Sequence, residues 1–528
     1  MSQSTAEPRP GISWTRLLAL AGASGVLHGL ALPPHDLGGL AFVALVPLLV
    51  GSRLESRTWR AAVAGLVFGA VSVVAVVHWI PEALIAGNGF GFASAALLSL
   101  LVFAWFALWF ALFPWLVARL DRSVLPSVLS PPLAWVAVET GRDALLPGLA
   151  WTLYGHSQHS VLPMLQFAEW AGAPGLSFVL VLLNSLVAEA IVVVLRAGGV
   201  RRIVLPLGFA GLLASGMFVV GGRRLSEADA DHAARLEASI AVAAVQLAIP
   251  QSARWQPESA WPRIDALLEL SDAALQAGAQ WIVWPETAIE RHLDKLDGLE
   301  AAVSRVFADR PGRWLIAGAP REVDTASGPE FYNSAALIDA SGRIVDVYDK
   351  RILYPLSEYV PGWVVAIPGA SRVLASQLRW APYSPGRGGR SRLAAPIPVG
   401  VMICVEGIHP TSARDAVRDG AEVLVQLAND AVIPGSAPAA QHFAITRFRA
   451  VETRRSLVRA SNQGVGAIVA ASGRVMSRSE PEHPGIALAR VVPARGSTPF
   501  VRGGWMFPWI CIGVALLAAV SGRLRRVR

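Results

Sequence analysis

Residues 398–407 read P-V-G-V-M-I-C-V-E-G. The run from Pro398 to Cys404 is apolar and uncharged, which is typical of a strand that is buried on both faces. Cys404 stands at the end of that run, and the acidic Glu406 follows two residues later. Because α/β folds collect ligand-binding and catalytic groups at the carboxyl ends of their strands, this segment predicts an α/β domain with a chemically active edge.

Strand and helix patterns alternate on both sides of this segment, between residues 225 and 504. The predicted strands are Ala238 to Leu247, Gln280 to Trp284, Trp314 to Ala319 and Glu422 to Ala428, with hairpins at Ser334 to Val347 and Leu457 to Ser477. The predicted helices are Glu258 to Ala277, Pro410 to Arg418 and Pro438 to Thr453. Such alternation predicts a layered α/β sandwich. Residues 369–396 are too long for a plain connection and predict a lid or a disordered segment.

Two more residues with useful chemistry follow predicted strands. Glu286 lies in W-P-E-T-A (284–288), and Lys350 lies in Y-D-K-R (348–351). A thiol nucleophile needs a base to remove its proton and a cation to stabilise an oxyanion, and a carboxylate and an ammonium can fill these roles. Taken singly, Cys404 fits a packing residue, Glu286 a helix cap and Lys350 a surface charge. Taken together, in this order, they make three unrelated roles less convincing, because they supply a thiol, a base and a cation.

Outside this polar region the chain is strongly apolar. The sequence is 53% hydrophobic and 16% charged, below the roughly 25% charged residues of soluble proteins. Apolar windows of the ~20 residues that cross a bilayer predict eight spans, the second and fifth being short or interrupted by proline. They lie near residues 14–32, 38–52, 61–80, 90–118, 124–140, 172–195, 202–222 and 505–522.

The excess positive charge flanks these predicted spans. Residues 225–504 carry 29 charges of each sign, which argues against a nucleic-acid-binding patch. Arginines gather in alternate loops, so the positive-inside rule predicts a cytoplasmic N-terminus. We expect a membrane domain of about seven helices at residues 1–224, an extracytoplasmic domain at 225–504, and a final span with a basic cytoplasmic tail at 505–528. Two cysteines, Cys404 and Cys511, make no disulfide framework or cysteine-rich zinc site, and we expect neither metal nor cofactor.

The Glu-Lys-Cys order resembles the nitrilase superfamily, whose members share an α-β-β-α sandwich. Such a domain between a seventh and an eighth span resembles the apolipoprotein N-acyltransferase family over essentially the whole chain. Further motifs that carry the resemblance are Q-L-A-I-P-Q-S-A-R-W (246–255), F-Y-N-S (331–334), P-L-S-E-Y-V-P-G (355–362), N-D-A (429–431), Q-H-F-A-I-T-R-F-R-A-V-E-T (441–453) and L-V-R-A-S-N-Q-G (457–464).

The resemblance implies roles for individual residues. Cys404 is then the nucleophile, Glu286 the general base and Lys350 the group that stabilises the oxyanion. Supporting positions near the active site are Glu358, Glu406, Trp255 and Asn333, of which we favour the two glutamates. The family's aromatic residues in the pocket and lid are replaced here by Leu356, Val405, Val432 and Ile433.

The resemblance also implies a function. It implies transfer of an acyl chain from a phospholipid donor to the N-terminal cysteine amine of a diacylated lipoprotein, through a thioester, at the periplasmic side of a bacterial inner membrane. Membrane lipid and lipoprotein are then the partners, and nucleic acid is not. Two alternatives stay open: a membrane-tethered hydrolase of the nitrilase type that uses water as acceptor, and a non-catalytic homologue that binds lipoproteins.

Overall fold

The protein is represented by a computed structural model. It describes residues 12–87, 89–145, 151, 153–196, 201–307, 309–326, 328–355, 357–360, 362, 366, 383–433 and 435–527. The predicted lid falls partly outside this set, because residues 369–382 are not among the described residues, and the same is true of Leu356.

Within the described residues, twelve strands form two six-stranded sheets. The first sheet has the order β12-β1-β2-β3-β4-β5 and the second the order β11-β10-β9-β8-β7-β6. The strands are β1 Ile240–Gln246, β2 Trp281–Val283, β3 Trp314–Thr325, β4 Gly328–Ile338, β5 Ile344–Asp349, β6 Arg392–Leu393, β7 Val399–Ile403, β8 Val423–Asn429, β9 Leu457–Asn462, β10 Ala467–Val469, β11 Val475–Arg478 and β12 Gly485–Val491.

The two sheets pack face to face, with helices on both outer faces. Side chains alternate along each strand, so Val401 and Ile403 point into the core between the sheets, whereas Met402 packs under the outer helices. Helices α8 (Ala260–Gln276) and α9 (Leu299–Phe307) cover the first sheet, and α10 (Pro410–Arg418) and α11 (Ser436–Thr453) cover the second. This arrangement confirms the predicted α/β sandwich.

The remaining long helices belong to the apolar part of the chain. They are α1 Trp14–Ala31, α2 Val46–Leu54, α3 Thr58–Val77, α4 Phe92–Leu120, α5 Ser130–Leu145, α6 Ala168–Leu195, α7 Arg201–Ala234 and α12 Phe507–Val527. Shorter helical turns include Ile80–Glu82, Ala83–Gly87, Tyr154–Gln158, Leu162–Leu165 and Pro499–Arg502.

Five helical segments in the described part of the chain are long and apolar enough to cross a membrane. They are Thr58–Val77, Phe92–Leu120, Ala168–Leu195, Arg202–Ala234 and Gly504–Ser521. The second predicted span is divided between a 3-10 turn at Gly38–Phe42 and the nine-residue α2. The fifth begins only at Ser130, because the two prolines that follow it fit the first turn of a helix, where a missing N–H group costs no intrahelical hydrogen bond.

Several predicted elements differ from those observed. The segment from Leu457 to Ser477, predicted as one hairpin, contributes to the three strands β9, β10 and β11. Strand β12 and helix α9 were not predicted from the sequence pattern. Residues 392–393 of the predicted lid form the edge strand β6, which pairs with β7. Helix α7 continues to Ala234, beyond the predicted end of its span, because a polar sequence with good helix formers follows the apolar one.

The membrane helices and the sandwich share an apolar core and polar contacts. Val405, Ile408 and Ile445 of the sandwich belong to the same buried cluster as the side chains of α1, α3 and α4. At the start of α6, Glu169 accepts hydrogen bonds from Arg224 of α7 (2.7 and 2.8 Å) and from Arg454 at the end of α11 (2.6 Å). These contacts hold the sandwich against the helices.

Candidate active site

The three predicted catalytic residues follow three different strands. Glu286 comes three residues after β2, Lys350 directly follows β5, and Cys404 directly follows β7. Gly318 on β3 lets the loop that carries Glu286 approach closely, since an added Cβ would lie 2.4 Å from the carbonyl oxygen of Pro285. All three residues line one cavity of about 820 Å³.

Lys350 is a buried ammonium held between two carboxylates. Its Nζ lies 3.2 Å from Oε1 of Glu286 and 2.8 Å from Oε2 of Glu358, and its side chain is 1% exposed. Burial alone would lower the pKa of Lys350, but Glu286 and Glu358 raise it well above its ordinary value. Lys350 is therefore a fixed positive charge at neutral pH.

Asn333 on β4 joins the same two carboxylates. Its Nδ2 donates to Oε1 of Glu286 (2.7 Å) and to Oε1 of Glu358 (2.9 Å). The backbone carbonyl oxygen of Asn333 accepts from the backbone N–H of Lys350 at 2.8 Å. Asn333 thus contacts both carboxylates of the cluster and the backbone of Lys350.

Glu358 and Glu406 are both buried but have different surroundings. Glu358 lines the cavity, and its Oε2 accepts from the backbone N–H of Tyr354 at 2.7 Å. Glu406 lies outside the cavity wall. Its carboxylate accepts from the Tyr348 hydroxyl (2.8 Å), from the backbone N–H groups of Arg351 (2.7 Å) and Ile352 (3.2 Å), and from that of Ile403 (2.8 Å).

These bonds let Glu406 tie the end of β5 to the end of β7. Lys350 and Cys404 are the residues at those two ends, so the carboxylate helps to fix the distance between them. Burial raises the pKa of Glu406, although the backbone N–H donors favour its charged form. Glu406 therefore braces the site, whereas Glu358 takes part in the charge cluster itself.

Cys404 adopts an uncommon backbone conformation. Its φ is +51°, in the left-handed region that L-residues seldom occupy, and it opens a short 3-10 turn from Cys404 to Gly407. Burial, followed by the nearby carboxylate of Glu286, raises the pKa of the thiol well above its ordinary value. The thiol is therefore protonated at rest and needs a base before it can attack.

The cavity is bounded by both parts of the chain. Phe90 and Trp151 come from the apolar part, and Val405, Val432 and Ile433 from the sandwich. The last three are positions that the sequence analysis assigned to the pocket or lid, and all three line the cavity. Trp255 also lines the cavity but is 44% exposed, and its backbone N–H donates to Glu290 at 2.8 Å.

Next to Cys404 lies a second group of polar residues, to which the sequence analysis gave no individual role. Gln426, Asp430, His442 and Arg459 are all buried. Gln426 and Arg459 occupy the strands β8 and β9, in which every residue is buried. A polar side chain in such a strand must find a hydrogen-bond partner, and that was the signal in the sequence. Among the described residues, no group of three or more His, Cys, Asp or Glu side chains could hold a metal ion.

Comparison with known proteins gives matches over both parts of the chain. Residues 24–186 match a family model described as apolipoprotein N-acyltransferase N-terminal domain, and residues 241–498 match one described as carbon-nitrogen hydrolase. The chain is 29% identical over 523 residues to an apolipoprotein N-acyltransferase of Geobacter metallireducens, with 96% of each chain covered. It is 31% identical over 537 residues to that of Pseudomonas aeruginosa, with 98% of each chain covered.

Solved structures also match the sandwich region. An amidase from Nesterenkonia sp. is 19% identical, with a TM-score of 0.34, and the match covers 50% of this chain and 93% of that one.

Proposed function

Because this chain belongs to the apolipoprotein N-acyltransferase family, we propose that it transfers an acyl chain from a phospholipid to the N-terminal amine of diacylated lipoproteins, through a thioester on Cys404. One observation carries the chemical part of the proposal. Glu286, Lys350 and Cys404 meet in a single cavity whose wall includes residues of the apolar part of the chain. Such a cavity brings a thiol, a base and a cation together beside lipid.

The first half of the reaction forms the thioester. Glu286 takes the proton of the Cys404 thiol as the sulfur attacks the carbonyl carbon of the phospholipid ester. The negative charge that develops on the carbonyl oxygen is stabilised by the ammonium of Lys350. When the tetrahedral intermediate collapses, the carbon–oxygen ester bond breaks and the lysophospholipid leaves with the proton that Glu286 held.

The second half transfers the acyl chain. The α-amine of the lipoprotein cysteine attacks the thioester carbon and gives a proton to Glu286. Lys350 again stabilises the oxyanion, the carbon–sulfur bond breaks, and the Cys404 thiolate recovers its proton from Glu286. The same base therefore serves both halves, which its hydrogen bond to Asn333 favours by fixing the carboxylate in one place.

The site has features that favour an amine over water as the acceptor. Val405 and the partly buried Ile433 give the cavity apolar walls beside the nucleophile. Exclusion of water protects a thioester from hydrolysis and strengthens the attraction between Lys350 and the oxyanion.

The proposal includes the arrangement in the membrane. We propose eight spans, formed by the five longer helices together with α1, α2 and α5. In this arrangement residues 225–504 lie on the periplasmic side of a bacterial inner membrane. The arginine-rich loops support this orientation. Arg53 pairs with Glu189 at 2.6 Å, and Arg196 donates to the carbonyl oxygen of Arg53, so these charges gather at one end of the helices.

Intact-mass spectrometry of the purified protein tests the proposal. Incubation with phospholipid should add one acyl group to the wild type and none to the Cys404→Ala variant. Subsequent addition of a diacylated lipopeptide should remove that group and yield an N-acylated peptide. The matched control is Cys511→Ala, which removes the other cysteine of the chain and should behave as the wild type.

Two results would contradict the proposal. Release of free fatty acid, without acylation of the lipopeptide, would identify a hydrolase. Absence of any adduct with several phospholipids, together with unchanged lipopeptide binding in Cys404→Ala, would identify a non-catalytic binding protein.

A further inference from the structure

Gln426, Asp430, His442 and Arg459, next to Cys404, form a connected hydrogen-bonded group. Arg459 on β9 donates to Oε1 of Gln426 at 2.5 Å and to Oδ2 of Asp430 at 2.6 Å. Ser461 also donates to Oδ2 of Asp430, at 2.7 Å. Despite its burial, Asp430 has a pKa held well below its ordinary value by Arg459 and His442, so its carboxylate is charged. Two residues next to Cys404, Asp430 and His442, line the same cavity as the Glu286–Lys350–Glu358 cluster.

Gln426 holds the carbonyl oxygen of Cys404. Because Arg459 is a donor only, it fixes the amide so that Oε1 faces Arg459 and Nε2 faces the nucleophile. Nε2 donates to the carbonyl oxygen of Cys404 at 3.0 Å. Gly407 is needed for this approach, since a Cβ there would lie 2.1 Å from Nε2 of Gln426.

His442 on α11 completes the environment of that carbonyl. Its Nδ1 lies 2.8 Å from Oδ1 of Asp430, an acceptor, so Nδ1 carries a proton. With the proton on Nδ1, its Nε2 is an acceptor, and it takes the second amide hydrogen of Gln426 at 3.1 Å. This Nε2 also lies 3.2 Å from the Cys404 carbonyl oxygen. One ring nitrogen is thus anchored to Asp430, and the other holds the Gln426 amide that donates to the carbonyl.

The conformation of Cys404 explains why this support matters. A residue with φ of +51° lies in a sparsely populated region and keeps that conformation only where its surroundings enforce it. Rotation about φ of Cys404 moves both its carbonyl group and its side chain, so a change of φ would also turn the thiol. The group that binds the carbonyl therefore also sets the direction of the sulfur atom.

We propose that His442 is a positioning residue that fixes the Gln426 amide on the Cys404 carbonyl, and through it the left-handed turn that aims the thiol at the acyl donor. The inference rests on the proposed acyl transfer for its role in the reaction. His442 lines the cavity, and its hydrogen bonds go to Asp430 and Gln426, so it acts through the backbone of the nucleophile.

Two conservative substitutions separate positioning from a purely structural role. In His442→Gln, the longer side chain brings an amide oxygen near the place of Nε2 and restores an acceptor for the Gln426 amide, while the contact with Asp430 is lost. In His442→Asn, the shorter side chain brings an amide near the place of Nδ1, which keeps Asp430 paired but leaves the Gln426 amide without this acceptor. His442→Ala loses both contacts.

The experiment measures two quantities for each variant in a Cys511→Ala background: the single-turnover rate of Cys404 acylation by phospholipid, and the melting temperature. We expect His442→Gln to acylate within about three-fold of the wild-type rate, and His442→Asn and His442→Ala to be roughly ten-fold slower, the effect of one lost hydrogen bond. The melting temperatures should follow a different order, with His442→Asn the most stable, because only it keeps the buried Asp430 paired.

The matched control is Thr453→Val, which removes a hydrogen bond of 2.7 Å to the carbonyl of Arg449 at the far end of α11. It should lower the melting temperature without slowing acylation. The proposal is overturned if the rates follow the melting temperatures, or if all three His442 variants react as fast as the wild type. Alkylation of Cys404 by iodoacetamide is measured in parallel. It needs no lipid, so the order of variants can be read even if the proposed acyl transfer fails.

Discussion

Replacement of Lys350 by methionine perturbs both the stability and the chemistry of the site. In the wild type, one ammonium lies between Glu286 and Glu358, at 3.2 and 2.8 Å, and the three side chains are at most 9% exposed. Lys350→Met keeps the length of the side chain but leaves two buried carboxylates without their cation, with Asn333 still donating to both and the backbone N–H of Tyr354 to Glu358. Removal of one partner of a buried ion pair costs about 3–5 kcal/mol.

That free energy should appear as a large fall in melting temperature. For a domain of this size, 1 kcal/mol corresponds to roughly 2–4 °C, so Lys350→Met should melt roughly 6–20 °C below the wild type. Loss of the oxyanion-stabilising charge should slow acylation by about 10²–10³-fold. Scanning fluorimetry in detergent and the intact-mass assay measure the two effects on the same sample.

The double variant Lys350→Met/Glu358→Gln separates the two effects. It removes one carboxylate with the ammonium, so of these three charges only that of Glu286 remains, and Asn333 still binds it. We expect at least half of the lost melting temperature to return, while acylation stays as slow as in Lys350→Met. A double variant no more stable than the single one would refute the charge cluster. Acylation at the wild-type rate in Lys350→Met would refute the role of the ammonium.

Three further predictions concern other parts of the site. Gly407→Ala should destabilise the protein by about 1–3 kcal/mol, because its Cβ would collide with the amide of Gln426; an unchanged melting temperature would contradict this. The rate of Cys404 alkylation without lipid, plotted against pH, should reach half its maximum above the ordinary thiol pKa of about 8.5, since burial raises the pKa. The stabilisation from the protonated thiol is then present below about pH 8.5 and is lost as the pH rises through the raised pKa. Glu169→Gln should lower the melting temperature by the equivalent of about 1–3 kcal/mol, because the amide binds Arg454 of the sandwich more weakly than the carboxylate does. The acylation rate of the folded protein should not change.

The elements that the sequence predicted well are those with strong local patterns. The helix from Pro410 to Arg418 has the predicted bounds, and the strands before Glu286 and Cys404 lie within a few residues of the predicted ones. Strand β12 was missed because its exposed and buried residues do not alternate cleanly, and its strand character depends on pairing with β1. Pairing between distant segments leaves little trace in a single sequence.

The site shows the same division between local and distant information. Glu286, Lys350 and Cys404 could be predicted because each follows a strand, and motif order linked them. The central place of Asn333 could not be ranked, because its two carboxylate partners are 47 and 25 residues away. Glu406 was predicted as a supporting residue near the active site, and its neighbours include backbone N–H groups at the end of another strand. Which polar residue meets which is decided by the packing of the two sheets.

Helix α11 gives a physical reason for joining this sandwich to membrane helices in one chain. Gln441, next to His442, accepts from the indole N–H groups of Trp79 (3.0 Å) and Trp151 (2.5 Å) and donates to the carbonyl oxygens of Pro33 (2.8 Å) and Val76 (2.7 Å). Consecutive residues of a helix point about 100° apart. One side chain of this turn is therefore bound to the membrane helices and the next to the environment of the nucleophile. A shift of those helices that moved Gln441 would also move His442, so the aim of the Cys404 thiol depends on how the sandwich sits on the membrane part.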